Sequence, residues 1–302
     1  MIYTVTLNPS IDYVVKLDKL VSGMTNRTTS EEYYFGGKGI NVSCVLAELD
    51  LNSTAYGFIA GFTGEAIKNG IRNDKIITDF IRLDSGISRI NIKIKAEQET
   101  EINTQGPHIS EQELEKLLQK IDRIEDGDTL VLAGSIPNSM PNDVYERIME
   151  RISHKEVRIV VDTTRKLLLN SLKYKPFLIK PNRQELSEIF ETEVKTENDI
   201  EKYAKELQKM GAKNVLVSLG GDGAMLIDET GQKYKAGVLK GKVINTVGSG
   251  DSMVAGFIAG YEKEHSYAYA LKLGSVCGNA TAFLNGLATK TKINELLEKI
   301  ST

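Results

Sequence analysis

Asn245-Thr246-Val247-Gly248-Ser249-Gly250-Asp251-Ser252-Met253-Val254-Ala255-Gly256-Phe257 reads as a strand end, a turn of small residues, and a helix carrying one carboxylate in its first turn. Gly248 and Gly250 let the backbone take positive φ and come close to a ligand, and the first amides of the helix lack an intrahelical partner. A helix start carries roughly half a positive charge, which suits phosphate oxygens. Asp251 beside it can accept a proton from an incoming hydroxyl. These parts together suggest phosphoryl transfer, against the plainer reading of a glycine turn with an Asp at a helix start.

A second glycine-marked stretch, Gly36-Gly37-Lys38-Gly39-Ile40-Asn41-Val42-Ser43, opens another helix far upstream. The pair resembles the two signatures of the ribokinase-type (phosphofructokinase B) carbohydrate kinases, in the branch holding 1-phosphofructokinases and tagatose-6-phosphate kinases. The likeness runs along nearly the whole chain.

A chain of 302 residues, 41% hydrophobic, can bury a large core and suits one α/β domain with a small accessory sheet. A net charge of −3 and a pI near 5.8 argue against a nucleic-acid or anionic-membrane partner. Cys44 and Cys277 are the only cysteines, and the start of the chain reads as a strand and not as a leader, so a cytoplasmic location is expected. No apolar run approaches the roughly 20 residues that span a bilayer. The scattered His108, His154 and His265 make a zinc site improbable.

Ile2 to Leu7 is β-rich and ends at Asn8-Pro9-Ser10, which puts Asp12 just beyond a strand end. Strands are expected from Tyr13 to Leu17, Arg27 to Phe35, Arg89 to Lys95 and Thr100 to Thr104, the last two joined by a hairpin loop over 96–99. These stand outside the alternation of strand and helix that fills the remainder. Ser110 with Glu113 forms a capping-box pattern before Leu114, Leu117, Leu118 and Ile121. Short apolar runs follow at Thr129 to Ala133, Arg158 to Asp162, Phe177 to Lys180 and Asn214 to Leu219, with a helix from about Glu197 to Met210. The fold class expected is α/β, a three-layer mostly parallel sheet with helices on both faces. Ligands then gather at the C-terminal strand ends.

The resemblance implies a single domain over 1–302 whose extra strands, at about 12–35 and 88–105, form a four-stranded lid over the sugar. Such a sheet has free edges, so a homodimer through the lid is expected. It also implies roles for residues. Asp251 is the general base, with the amides of Gly248, Ser249 and Gly250 as an anion hole. Asn182, Ser218, Gly220, Gly221, Asp222, Gly223, Thr246, Gly250 and Asn279 meet ATP. By themselves, Ser218 to Gly223 suit a hairpin turn into 224–228 equally well. In the Asn182-Arg183-Gln184-Glu185 element, Glu185 holds Mg²⁺ through its water shell, as that ion's reluctance to dehydrate allows. Asp12, Gly36, Gly37, Asn41 and Asp251 meet the sugar, Lys38 and Arg89 its phosphate or the sugar itself, and Ser135 the phosphate, while Arg27 makes its contact across a dimer.

The implied reaction is ATP-dependent phosphorylation of fructose 1-phosphate at C6 to fructose 1,6-bisphosphate, with tagatose-6-phosphate kinase as the near alternative. Other classes fit less well. Lys38 is followed by Gly39, which breaks a P-loop, and neither glycine stretch completes Gly-x-Gly-x-x-Gly. Gly-x-Ser-x-Gly is absent. A non-catalytic sugar-phosphate or nucleotide sensor would have no need of a base at the anion hole.

Overall fold

The computed structural model describes residues 1–301. The central sheet has ten strands, ordered from one edge as Lys233–Ala236, Ala224–Ile227, Asn214–Ser218, Leu178–Ile179, Arg158–Asp162, Thr129–Ala133, Ile2–Thr6, Ser53–Ala60 and Ile76–Thr78. Ile81–Leu83 also pairs with Ser53–Ala60. Pairing is parallel from Asn214–Ser218 to the far edge and antiparallel in the hairpins at the near one.

Alternation along each strand divides the core into two layers. Leu130 and Leu132 join Leu114, Leu117 and Ile148 on one face, while Val131 and Ala133 join Val42, Val45, Val254 and Phe257 on the other. Every residue of Ser53–Ala60 and Thr129–Ala133 is buried, as expected of parallel strands covered on both sides. The Ser110–Glu113 capping box opens the Glu111–Ile121 helix. Among the described residues, no helix is long and apolar enough to cross a membrane.

A separate four-stranded sheet has the order Ser30–Gly36, Ser10–Lys16, Arg89–Lys95, Thr100–Ile102. Its boundaries correct the sequence reading twice. The strand expected at Tyr13 starts at Ser10, because pairing on both sides begins there, with Gly36 and with Arg89. Asp12 therefore lies beyond the end of Ile2–Thr6, as expected, and also inside the strand that follows. The strand expected at Arg27 starts at Ser30, because the Asn26 amide accepts from Val21 N and donates to Val21 O, closing a loop that leaves Arg27 exposed.

The Ser249–Glu264 and Tyr267–Ala282 helices pack closely through glycines. A Cβ on Gly256 would lie 2.6 Å from Leu273 O and 2.8 Å from Cys277 Sγ; one on Gly274 would lie 2.8 Å from Met253 O. Gly256→Ala gains about 1 kcal/mol of helix propensity but overpacks against backbone, which costs about 1–3 kcal/mol. We expect a net loss of up to about 2 kcal/mol, read as a lower denaturation midpoint in urea; a higher midpoint would show that the helices part freely.

Candidate active site

Two helix starts meet at the C-terminal edge of the central sheet. Gly248, at φ 80°, precedes the Ser249–Glu264 helix, and Gly37, at φ 131°, precedes Lys38–Glu48. A Cβ on Gly37 would fall 2.4 Å from Thr6 Cγ2, so the second turn is drawn onto the end of Ile2–Thr6. Thr6 Oγ1 accepts from Ile40 N at 3.0 Å and fixes that approach. Asp251, 6% exposed, lies where the helices face each other and accepts from Asn41 Nδ2 at 2.8 Å.

Beside Asp251, on the same cavity, lies an ion cluster of buried Asp162 and Lys180 with the more exposed Lys38. Asp162 Oδ1 is 3.2 Å from Lys38 Nζ and 3.4 Å from Lys180 Nζ. Burial disfavours the charged form of Asp162, yet Lys180 and Lys38 hold its carboxyl below the ordinary range. Lys38 is likewise opposed by burial and held up by Asp162 and Asp251. Asp251 is pushed up to about 6, by burial first and the Asp162 charge second, against Lys38, Asn41 and Lys180. A carboxyl so placed can take a proton near neutral pH.

A cavity of about 310 Å³ opens above this cluster, lined by Asp12, Gly37, Lys38, Asn41, Arg89, Gly248, Gly250 and Asp251 together with Ser10, Asn91, Asp162, Lys180 and Val247. Arg89 donates through Nε to Asn8 O at 3.1 Å. Gly36 lines an adjoining cavity of about 320 Å³, which also meets Asp12 and Asn41. A third cavity, of about 350 Å³, is lined by Asn182, Ser218, Gly220, Gly221, Gly223, Thr246, Ser249, Gly250 and Asn279, with Val238, Val243 and Phe283 as apolar walls. Gly250 lines both the first and the third, so one helix start faces the two spaces.

Among the described residues, neither of those two cavities is lined by Arg27, Ser135 or Asp222. Ser135 is exposed beyond the Thr129–Ala133 strand. Asp222 pairs with Arg183 at 2.6 Å, so its carboxylate is engaged by that guanidinium. The Gly220–Asp222 turn joins antiparallel Asn214–Ser218 and Ala224–Ile227, so the hairpin reading holds, and the same glycines line the third cavity.

Asn182 and Glu185 form a reciprocal cap: Asn182 N donates to Glu185 Oε2 and Glu185 N donates to Asn182 Oδ1, each at 2.8 Å. Among the described residues, no three carboxylates, imidazoles or thiols form a metal cage. A magnesium ion carried on phosphates and waters needs only one or two carboxylates. Glu185 fits that use, since its charge is felt at Lys38 and its second oxygen is outside the cap.

Sequence reading missed Asp162, Lys180 and Asn91. The signal for the first two was present, since Asp162 ends the Arg158–Asp162 strand and Lys180 follows Leu178–Ile179, both at the edge where ligands collect.

Residues 5–293 match the model of the pfkB family carbohydrate kinases. The chain is 45% identical over 300 residues to a 1-phosphofructokinase of Bacillus subtilis, covering 99% of this chain and 98% of that one. It is 41% identical over 301 residues to a D-tagatose-1-phosphate kinase of Bacillus licheniformis, covering 99% and 98%. Phosphofructokinase-2 of Escherichia coli, solved with substrates and products, superposes with a TM-score of 0.91 at 27% identity, covering 100% of this chain and 99% of that one. An inhibited form of that enzyme is described as tetrameric. With a matching family model over nearly its whole length and relatives of this similarity, the chain belongs to the pfkB family of carbohydrate kinases.

Proposed function

We propose that this kinase transfers the γ-phosphoryl group of ATP to the C6 hydroxyl of fructose 1-phosphate, giving fructose 1,6-bisphosphate and ADP. One observation carries the reading: buried Asp251 stands at the helix start whose Gly250 borders both the polar cavity with Lys38 and Arg89 and the apolar-walled one. The sugar phosphate occupies the first, with its phosphate toward Arg89 and Lys38, and the nucleotide the second. Asp251 takes the hydroxyl proton as the oxygen attacks, and the amides of Gly248, Ser249 and Gly250 face the transferring group. Lys180, beside Gly250, adds a positive charge there. Mg²⁺, held through water by Glu185, would neutralise charge on the nucleotide phosphates.

The tagatose relative is named for the 1-phosphate, whereas the sequence reading took the 6-phosphate as the rival substrate. The rival is accordingly tagatose 1-phosphate, which differs from fructose 1-phosphate at one carbinol centre.

The lid supplies a surface for a second copy. Ile11, Tyr13, Tyr33, Phe35 and Ile90 line a shallow cavity of about 410 Å³ with Ala66, and Tyr33 is 62% exposed. A homodimer through this sheet covers it.

Asp251→Asn should lower kcat by about a hundredfold to ten-thousandfold with little change in either KM, measured by coupled ADP release. In the unaltered enzyme kcat/KM should fall about tenfold per pH unit below about 6, because Asp251 accepts a proton only when ionised. Sugar phosphate also titrates near 6, so the Asp251→Asn profile provides the baseline. Undiminished turnover in Asp251→Asn refutes the mechanism.

Across fructose 1-phosphate, tagatose 1-phosphate, tagatose 6-phosphate and fructose 6-phosphate, kcat/KM should be highest for fructose 1-phosphate. A higher value for tagatose 1-phosphate reassigns the substrate. The epimers should differ by about 10- to 200-fold, the range for one altered contact.

Sedimentation equilibrium should give about twice the 33.4 kDa chain mass, and Tyr33→Asp should shift the species toward monomer. A monomer at micromolar concentration removes the lid interface.

A further inference from the structure

Asn91 has no role in the account above, yet it is among the most buried polar side chains of the lid, 5% exposed, and borders the sugar-phosphate cavity. Asn is a poor strand residue, and here it sits within Arg89–Lys95, directly opposite Asp12. Its Nδ2 donates to Asp12 Oδ1 at 2.8 Å. A carboxylate offers only acceptors, so the NH₂ end must face it, and the carbonyl end is turned away. Asn91 Oδ1 is buried without a hydrogen-bond partner.

Asp12 Oδ1 also accepts from Ser10 Oγ at 3.0 Å. That oxygen is therefore supplied with both donors it can readily accept. Asp12 Oδ2 differs: its nearest ionic neighbour is Lys93 Nζ at 3.6 Å, longer than a hydrogen bond, and Lys93 is equally drawn to Glu101 at 3.6 Å. The terminal torsion of an Asp is broad and intrinsically unspecific. Two short bonds to one oxygen fix it. They leave the second oxygen as the acceptor for a sugar hydroxyl.

We propose that Asn91 is a positioning and specificity-determining residue: with Ser10 it locks the Asp12 carboxylate so that Oδ2 alone meets a furanose hydroxyl in one direction. This rests on the sugar-phosphate reading of the cavity. Free rotation of Asp12 would let it follow either epimer; the locked carboxylate cannot. Asn91 thus acts through Asp12 on sugar affinity and epimer choice and leaves the nucleotide side untouched.

The test uses the full chain and two readouts. Calorimetric Kd for fructose 1-phosphate without nucleotide reports binding, and kcat/KM for fructose 1-phosphate against tagatose 1-phosphate reports discrimination. Asn91→Ala should raise Kd and sugar KM about 10- to 100-fold, narrow the epimer ratio and leave KM for ATP unchanged. Ser10→Ala should show the same signature more weakly. In Asn91→Asp two carboxylates face each other; at pH 8 sugar affinity should be lost, and toward pH 6 it should recover relative to the parent, because a protonated Asp at 91 can again donate to Asp12. Unchanged Kd and ratio in Asn91→Ala overturn the proposal. So does a loss that strikes ATP KM equally and does not respond to pH, the mark of general damage. If Asn91→Ala fails to fold, Asn91→Asp and Ser10→Ala decide by the same readouts. A parent enzyme that binds fructose 1-phosphate but releases no ADP defeats the kinase reading while the binding arm still judges Asn91; a parent that binds no sugar phosphate defeats both.

Discussion

One carboxylate oxygen, Asp162 Oδ1, facing two ammonium groups at 3.2 and 3.4 Å is the interaction on which the site depends. Lys180 is almost without solvent and could not stay there charged alone; Asp162, equally buried, could not either. Together with Asp251 they make a cluster of two positive and two negative groups. Replacing Asp162 would leave buried Lys180 without its ion-pair partner, a loss of the kind that costs about 3–5 kcal/mol, whereas replacing Lys180 would leave Asp162 still paired with Lys38. Gly250, which is helical and needs no positive φ, leaves room for the Lys180 ammonium: a Cβ there would stand 2.9 Å from Nζ, and that end of the lysine would have to shift. The glycine turn that marks the site in the sequence is thus shaped partly by a lysine far from it in the chain.

That lysine arrives because parallel strands all end at one edge. Thr6, Asp162 and Ser218 end their strands, and Lys180 immediately follows Ile179. Each crossover carries the chain back behind the sheet, so residues distant in sequence come forward together. An isolated bridge between Asn182 and Ser218 extends that edge by one pair and brings the Asn182–Glu185 cap beside the glycine turn of the third cavity.

What the sequence disclosed follows from range. The two glycine stretches, the Ser110–Glu113 cap, and the strands Thr129–Ala133, Arg158–Asp162 and Arg89–Lys95 are set by local chemistry, and the structure has them at those positions. Asp162, Lys180 and Asn91 are single polar residues at the end of, or within, apolar runs, and only their distant partners give them meaning. Arg27, Ser135 and Asp222 lie off the polar and the apolar-walled cavities of the single chain for the converse reason. Each stands near a motif in sequence, but an Asn26-closed loop, an exposed strand exit and an Arg183 ion pair direct them elsewhere. Asp12 was assigned to the cavity it lines while its strand was misread, because the lid ladder reaches back to Ser10 across two partners that local propensity does not reveal.

The division of labour between two sheets bears on the proposed base. Asp12, Arg89 and Asn91 are carried by the four-stranded sheet, and Asp251 by a helix on the central one, so a sugar bound as proposed would tie the sheets together and displace water from the cavity they line. Lower water content raises the proton affinity of a buried carboxyl, and the Lys38 and Lys180 charges limit the rise. From an ordinary value of 3.8 to about 6 is about a hundredfold gain in proton affinity, while the group remains mostly ionised at pH 7. A lower value would leave a weak base, and a much higher one a group already protonated. In the proposed mechanism the two lysines beside Asp162 would therefore do more than neutralise incoming phosphate: their charges oppose the rise at Asp251 and keep it within the range where a carboxylate is both charged and basic.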